Sequence, residues 1–326
     1  MKLLVTGGLG FIGSNFIRQR FKDHPNDEII NLDKITYASN PLSKDLADNP
    51  QYTFIRGDIA DYDTVLSAAK DVDCIVNFAA ESHVDNSISS SDLFIRSNIV
   101  GVHTILKVVR DLGIRLHHVS TDEVFGSLDI NSKNKFHDSS PYNPRNPYSA
   151  TKASSDFLIR AFINTYDVKA TISNCSNNYG PYQHPEKLIP KTILNAISGV
   201  RIPIYGNGNQ IRDWIHVEDH CAAISLIIDK GRMSETYLVG GDGEITNIRL
   251  VKMILDILGK SHSLIQFVND RPGHDVRYSI ETSSSLSRLG WKRRIEFDAG
   301  IRETIRHYIE NKETYLNYSK WEREWY

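Results

Sequence analysis

Short apolar runs alternate with segments of helical periodicity through the first half of the chain. Lys2–Thr6, Glu28–Asp33, Thr53–Asp58, Cys74–Ala80, Leu116–Ser120 and Ala170–Asn174 read as strands. Gly13–Phe21, Tyr62–Ala69, Ile95–Leu112 and Tyr148–Tyr166 lie between them and read as helices. Alternation of this kind builds a parallel sheet with helices on both faces, joined by right-handed crossovers. The pattern predicts an α/β fold with a doubly wound, Rossmann-type parallel sheet.

After about residue 180 the rhythm changes. Pro181, Pro185, Pro190 and Pro203 punctuate the chain, with Gly206 and Gly208 close by. Helices are expected at Lys191–Ser198, Val217–Asp229, Ile248–Leu258 and Phe297–Asn311. The chain therefore divides into residues 1–180, the sheet domain, and 181–326, a smaller mixed α/β lobe that returns some elements to the sheet. No repeat or low-complexity linker separates them, so close packing with a ligand cleft between the lobes is expected.

Composition narrows the function classes. The chain has 326 residues, with 24% charged and 40% hydrophobic, which suits a globular protein. Lys plus Arg is 38 against 40 Asp plus Glu, a net charge of -2, so no basic surplus points to nucleic acid. Cys74, Cys175 and Cys221 are odd in number and far apart, with no metal-ligand spacing. They read as buried thiols of a reducing compartment, and no metal is expected. Met1–Thr6 is too short for a signal peptide, and no run approaches the ~20 apolar residues of a membrane helix. The expected location is cytoplasmic.

Chemistry first appears in the loop after the first strand. Gly8, Gly10 and Gly13 fit G-x-G-x-x-G, and Gly7, Gly10 and Gly13 fit the G-x-x-G-x-x-G spacing. Without Cβ atoms the backbone can approach a pyrophosphate, and the helix N-terminus supplies N–H groups and positive partial charge. A tight turn would use the same glycines, but a strand, a helix and an acid also agree. That acid is Asp33, 20 residues past Gly13 at the end of the second strand. Its carboxylate would accept from a ribose 2′-hydroxyl and repel a 2′-phosphate, which favours NAD over NADP. Asp58, ending the third strand, is a candidate acceptor for the adenine amine. Either acid could instead serve a loop or a cap.

Tyr148 and Lys152 stand four residues apart, on one face of a helix. A phenol has an unperturbed pKa of about 10 and needs help to act as a base. A nearby ammonium favours phenolate, and the same lysine can hold the nicotinamide ribose. The fifth strand ends in Ser120-Thr121-Asp122-Glu123, at the carboxyl edge where such sheets bind ligands. Thr121 can hydrogen-bond a substrate hydroxyl beside Tyr148, and Asp122 with Glu123 forms a candidate acid/base pair.

With these residues in place the chain resembles the extended short-chain dehydrogenase/reductases, and among them the dTDP-glucose 4,6-dehydratases. The resemblance covers almost the whole chain. It includes the glycine loop, Ala79-Ala80-Glu81-Ser82-His83-Val84-Asp85, Ser120–Gly126 and Pro147–Ser154. It continues through Ser176–Gln183, Pro185–Pro190, Arg212-Asp213-Trp214 with Val217–His220, and Arg271-Pro272-Gly273-His274-Asp275. The Asp-Glu pair separates the dehydratases from 4-epimerases, which usually lack both acids.

The resemblance implies that Tyr148 removes the C4 hydroxyl proton while NAD takes hydride. It further implies that Glu123 removes the C5 proton and Asp122 protonates the departing C6 hydroxyl. The cofactor set then also includes Phe11, Ile12, Ile59, Ala79 and Ala80. Lys187, Arg212 and Arg271 become cationic partners of a nucleotide-sugar diphosphate. Ser82, His83, Asn178, Leu188 and His274 complete the implied substrate set. Homodimers packed through Ile95–Leu112 and Ala153–Tyr166 are typical of the family. Two positions depart from it: Asn86 stands where Arg is common, and His216 where Tyr is commoner. The expected substrate is dTDP-glucose, with UDP-glucose and UDP-N-acetylglucosamine as alternatives. A 4-epimerase, or a catalytically silent nucleotide-binding module, would share the fold.

Overall fold

The computed structural model describes residues 1–317. Six strands follow one another in the first half: β1 (Lys2–Thr6), β2 (Glu28–Asp33), β3 (Tyr52–Arg56), β4 (Cys74–Asn77), β5 (Arg115–Thr121) and β6 (Ala170–Cys175). A seventh strand, Thr236–Val239, comes from the second half and pairs in parallel with β6. The sheet is parallel throughout, in the order Thr236–Val239, β6, β5, β4, β1, β2, β3. The chain runs outward from β1 through β2 to β3, then crosses back to β4 and continues the other way. Ligands of such sheets lie at the carboxyl ends of the strands beside this switch point.

Alternation along the strands explains why both faces are covered. Leu3, Val5, Cys74 and Val76 pack against Phe16 and Ile17 of helix Phe11–Asp23, and against Cys221, Ile224 and Ile228 of helix Val217–Lys230. Leu4, Ile75, Leu116 and Ile172 point the other way, onto Val102, Ile105 and Val109 and onto Ile159 and Phe162. Each such side chain, fully buried, contributes about 1.5–3 kcal/mol of transfer free energy. The second lobe gathers helices Leu188–Ser198, Asn247–Ile257 and Phe297–Glu310 around Ile193, Trp214, Leu250, Ile254, Ile301 and Ile305. Two-residue to four-residue ladders tie it together. Trp214–His216 pairs in parallel with Asn177–Tyr179, and Ile202–Tyr205 with Ile265–Val268.

Several boundaries differ from the sequence expectation for local reasons. The third strand stops at Arg56 rather than Asp58, because the Asp58 carboxylate turns back to accept from Ala60 N at 2.9 Å. The fourth stops at Asn77 rather than Ala80: Phe78 N still donates to Thr6 O, after which the chain passes across Gly7. The first helix begins at Phe11, so Gly13 lies inside it. Ile95–Leu112 opens with a π-helical turn, Ile95–Gly101, before the α-helix Val102–Leu112. There Gly101 admits Ile59, whose Cδ1 would lie 2.5 Å from any Cβ.

Candidate active site

The switch-point cleft is built from the glycine loop upward. Gly7 adopts φ +72, and a Cβ there would meet Ala79 N at 2.6 Å. A Cβ on Gly13 would lie 2.5 Å from Gly7 O. Loop and helix are therefore packed backbone to backbone, which leaves the helix N-terminus open beneath Gly10, Phe11 and Ile12, all on the cleft wall. Asp33 is buried on the same wall. Its carboxylate accepts from Leu9 N at 3.0 Å and from Ile35 N at 2.8 Å. Burial pushes its pKa up, and the two backbone donors oppose that. Ile59, Ala79 and Ala80 line the cleft with it. Asp58 does too, but it is engaged by Lys34 at 3.0 Å and Arg96 at 3.1 Å. Burial raises its pKa, yet Ala60 N and these cations hold it below the ordinary value.

Thr121 ends β5, and its Oγ1 accepts from Glu123 N at 3.3 Å. That bond caps the 3₁₀ turn Asp122–Phe125 and delivers both acids to the cleft. Asp122 is almost wholly enclosed, and its Oδ2 has no hydrogen-bond partner among the described residues. Burial, then the charges of Glu123 and Asp213, push its carboxyl far above the usual range. Glu123 is also raised by burial, against the pull of Arg212, Arg271 and Lys187. Burial thus raises both carboxyls, and they stand side by side in the cleft, the placement that an acid and a base need.

Tyr148 and Lys152 lie on helix Pro147–Tyr166. Its start is fixed by Pro147 and by a capping box between Asn146 and Ser149. Lys152 Nζ donates to Val119 O at 2.7 Å and meets His118 Nε2 at 3.2 Å. Burial, then Glu123 and Cys175, raise the Tyr148 phenol well above its ordinary pKa, against a hydrogen bond with Thr121. Burial carries Lys152 the other way, to about 8.

Of the expected substrate residues, Ser82, Asn178 and Lys187 line the cleft, while His83, Leu188, Arg212, Arg271 and His274 stand off its wall. Each of these five is engaged elsewhere. His83 faces Glu186 at 3.8 Å, and Leu188 begins its helix and packs into the lobe core. Arg212 donates to Asp275 O at 3.0 Å with its guanidinium 4.4 Å from the Tyr278 ring centre. Arg271 bonds Asp85 at 2.9 Å, and His274 bonds Asp270 at 2.6 Å. Arg212 and Arg271 still act on Glu123 through their charge. Lys187 donates to Ser82 O at 3.0 Å. Asn178 is held between Ser176 O at 3.0 Å and His220 Nδ1 at 2.9 Å. Asn86 donates to the Tyr37 hydroxyl, and His216 is buried as the cap of helix Val217–Lys230.

Sequence reasoning missed Glu186 and His184 on the cleft wall, and Tyr278, which donates to Glu123 at 3.4 Å. Glu186 lay inside a quoted motif, whereas Tyr278 carried no local signal.

The sequence profile of the GDP-mannose 4,6 dehydratase family matches residues 4–304. A dTDP-glucose 4,6-dehydratase of Mycobacterium tuberculosis is 46% identical over 314 residues, covering 96% of this chain and 94% of that protein. The crystal structure of a dTDP-glucose 4,6-dehydratase from Streptomyces venezuelae, solved with NAD bound, superposes with a TM-score of 0.94 at 44% identity, covering 98% of this chain and 100% of that one. Its counterpart from Bacillus anthracis, also in complex with NAD, gives 0.90 at 41%, covering 98% and 99%. This chain belongs to the GDP-mannose 4,6 dehydratase family.

Proposed function

We propose that the protein is an NAD-dependent dTDP-glucose 4,6-dehydratase. The observation that carries the reading is the Asp122–Glu123 pair, two buried carboxyls side by side in one cleft with Tyr148 and Lys152. The glycine cradle and Asp33 fit NAD, because the loop presents bare backbone to a pyrophosphate and an acid to a ribose. NAD held by this loop, Asp33 and Lys152 would supply a reversible hydride acceptor for C4 and donor for C6, so that it would be neither consumed nor produced.

Tyr148 takes the C4 hydroxyl proton, and Thr121 holds that hydroxyl in place. Burial disfavours the phenolate, so positive charge must stand nearby; Lys152, four residues on, supplies it. The resulting ketone acidifies C5–H. Glu123 takes the C5 proton as the C6–oxygen bond breaks, and Asp122 protonates the leaving hydroxyl to water. A proton from Glu123 then returns to C5. The proton left on Tyr148 balances the one given up by Asp122. Lys187 on the cleft wall anchors the diphosphate, joined by Arg212 and Arg271 as they exchange Asp275 and Asp85 for it, with Ser82 and Asn178 at the sugar and His83, Leu188 and His274 behind them.

In this reading residues 1–180 hold the cofactor and the catalytic groups, and 181–326 mainly the substrate. The chain works as a cytoplasmic homodimer. Exposed apolar side chains support the dimer: Ile95 and Val100 on one long helical segment, Phe157 and Tyr166 on the other. Three buried free cysteines suit a reducing compartment. No helix among the described residues is long and apolar enough to cross a membrane. The test is incubation with dTDP-glucose, UDP-glucose and UDP-N-acetylglucosamine, with mass analysis of products. Loss of one water, with kcat/KM highest for dTDP-glucose, is expected. An isomer that retains the C6 hydroxyl would overturn the reading in favour of an epimerase.

A further inference from the structure

Lys152 stands on a buried polar cluster that the chemistry above leaves unused. Its ammonium donates to Val119 O and meets His118 Nε2. Asp156 lies one helical turn after Lys152 on the same helix, with Oδ1 3.8 Å from that imidazole nitrogen. His118 and Asp156 are completely enclosed. Asp156 Oδ2 accepts from Ser120 Oγ at 2.9 Å, Tyr142 OH at 2.8 Å and Asn174 Nδ2 at 3.1 Å. Burial raises the Asp156 carboxyl above its ordinary value, and the Lys152 charge and the three donors on Oδ2 oppose that. Among the described residues the other oxygen has no hydrogen-bond partner, and it lies 3.8 Å from His118 Nε2. Behind the imidazole, His118 Nδ1 meets the Asn77 amide at 2.9 Å, and Thr6 Oγ1 backs that amide at 2.6 Å.

A buried ammonium gives up its hydration, and only acceptors and opposite charge offset that loss. Val119 O supplies a dipole. His118 is kept neutral by burial and by Lys152. For Nε2 to accept from the ammonium its proton must sit on Nδ1, which requires the Asn77 amide to turn its oxygen to Nδ1 and its nitrogen to Thr6 Oγ1, the reverse of the orientation in which Asn77 Nδ2 meets Nδ1. Of the titratable groups on the elements around Lys152 (Tyr148 on its own helix, His117 on β5, Asp122 and Glu123 beyond it, and Cys175 on β6), only Cys175 opposes the effect of burial on Lys152, and Asp156 opposes it more.

We propose that His118 and Asp156 are positioning residues for Lys152, one fixing its ammonium and the other supplying the enclosed charge that keeps it protonated. The inference rests on reading Tyr148 and Lys152 as the oxidising pair. The test follows initial C4 oxidation by the absorbance of reduced nicotinamide, across pH, in the intact NAD-loaded protein. Asp156→Asn is expected to move the alkaline limb of the oxidation rate down by about one pH unit. His118→Leu is expected to slow oxidation about tenfold, with substrate KM within about threefold of the parent. His118→Asn keeps an acceptor and is expected to recover most of the rate.

An unmoved alkaline limb in Asp156→Asn overturns the role of Asp156. Oxidation by His118→Leu within about twofold of the parent overturns that of His118. A loss equal at every pH, with KM raised in step, marks a fold defect and also counts against the proposal. If Asp156→Asn does not fold, the two His118 variants decide. A parent protein that oxidises no nucleotide sugar overturns the functional reading itself, whereas normal oxidation indifferent to both residues overturns this inference alone.

Discussion

Arg271 is tied to Asp85 by a hydrogen-bonded ion pair of 2.9 Å across 186 positions of sequence. Tyr205 donates to the same carboxylate at 2.8 Å. Burial raises Asp85, but the Arg271 and Tyr205 bonds win and hold it below the ordinary carboxylate value. A diphosphate that recruits Arg271 must compete with this carboxylate. Asp85→Asn should therefore lower KM for the nucleotide sugar, by about threefold to tenfold for a part-exposed pair, while kcat changes little. Steady-state kinetics at low and moderate salt check it; an unchanged or higher KM would mean Asp85 orients Arg271 rather than competing for it.

The acid pair gives a sharper expectation. Glu123→Gln and Asp122→Asn should each cost about 10²–10⁴-fold in turnover while sparing C4 oxidation. Reduced nicotinamide should then accumulate on the protein and be visible by its absorbance. In the parent enzyme, deuterium placed at C4 should appear at C6, and solvent deuterium should enter C5. Product mass spectra and proton NMR distinguish these fates. Near-normal turnover by Glu123→Gln would remove it from the mechanism.

The sheet and the motifs were legible because each depends on neighbours in sequence. Strands buried on both faces announce themselves as apolar runs, and the glycine loop, Thr121–Glu123 and Tyr148–Lys152 are contiguous or one turn apart. What stayed hidden depends on distant pairing. Thr236–Val239 is only four residues long and becomes a strand through β6. Tyr278 reaches Glu123 across 155 positions. Arg271 and Arg212 were legible as cations, but not their engagement by Asp85 and Asp275. Nor was the lowered lysine and raised tyrosine pair, since burial sets both values and only the packed helix creates it.

Arg20 illustrates stability outside the cleft. It is buried on helix Phe11–Asp23 and bonds Asp27 at 2.6 Å and Asp229 at 2.9 Å. Burial raises the Asp27 carboxyl, but the chain's amino terminus and Arg20 outweigh it and leave the pKa depressed. A depressed carboxylate contributes stability that is present above its unfolded pKa of about 4 and is lost as pH falls through the lower folded value. Asp27→Asn should destabilise the fold by about 3 kcal/mol near neutrality, because a buried guanidinium loses a partner. It should also flatten the acid side of the stability curve. Denaturant unfolding at a series of pH values tests both; equal losses at pH 7 and at pH 3 would detach the effect from the ion pair.

Asp33 should set the choice between NAD and NADP. Its carboxylate sits on the cleft wall at the end of β2, where a ribose 2′-substituent is expected, buried and held by two backbone N–H groups. Against a 2′-hydroxyl that charge is an acceptor; against a 2′-phosphate it repels. The protein should bind NAD at least about tenfold more tightly than NADP, equivalent to ~1.4 kcal/mol. Two variants separate charge from scaffolding, because the same carboxylate also accepts from Leu9 N and Ile35 N. Asp33→Asn keeps one acceptor oxygen and should narrow the gap mainly by improving NADP. Asp33→Ala should narrow it further but weaken both cofactors, as the glycine loop loses its anchor at Leu9. Titration of the parent and both variants with the two reduced cofactors, followed by fluorescence, gives the six affinities. If Asp33→Asn leaves the NAD-to-NADP ratio where it was, the discrimination lies elsewhere, and Asp33 is only the anchor of the loop.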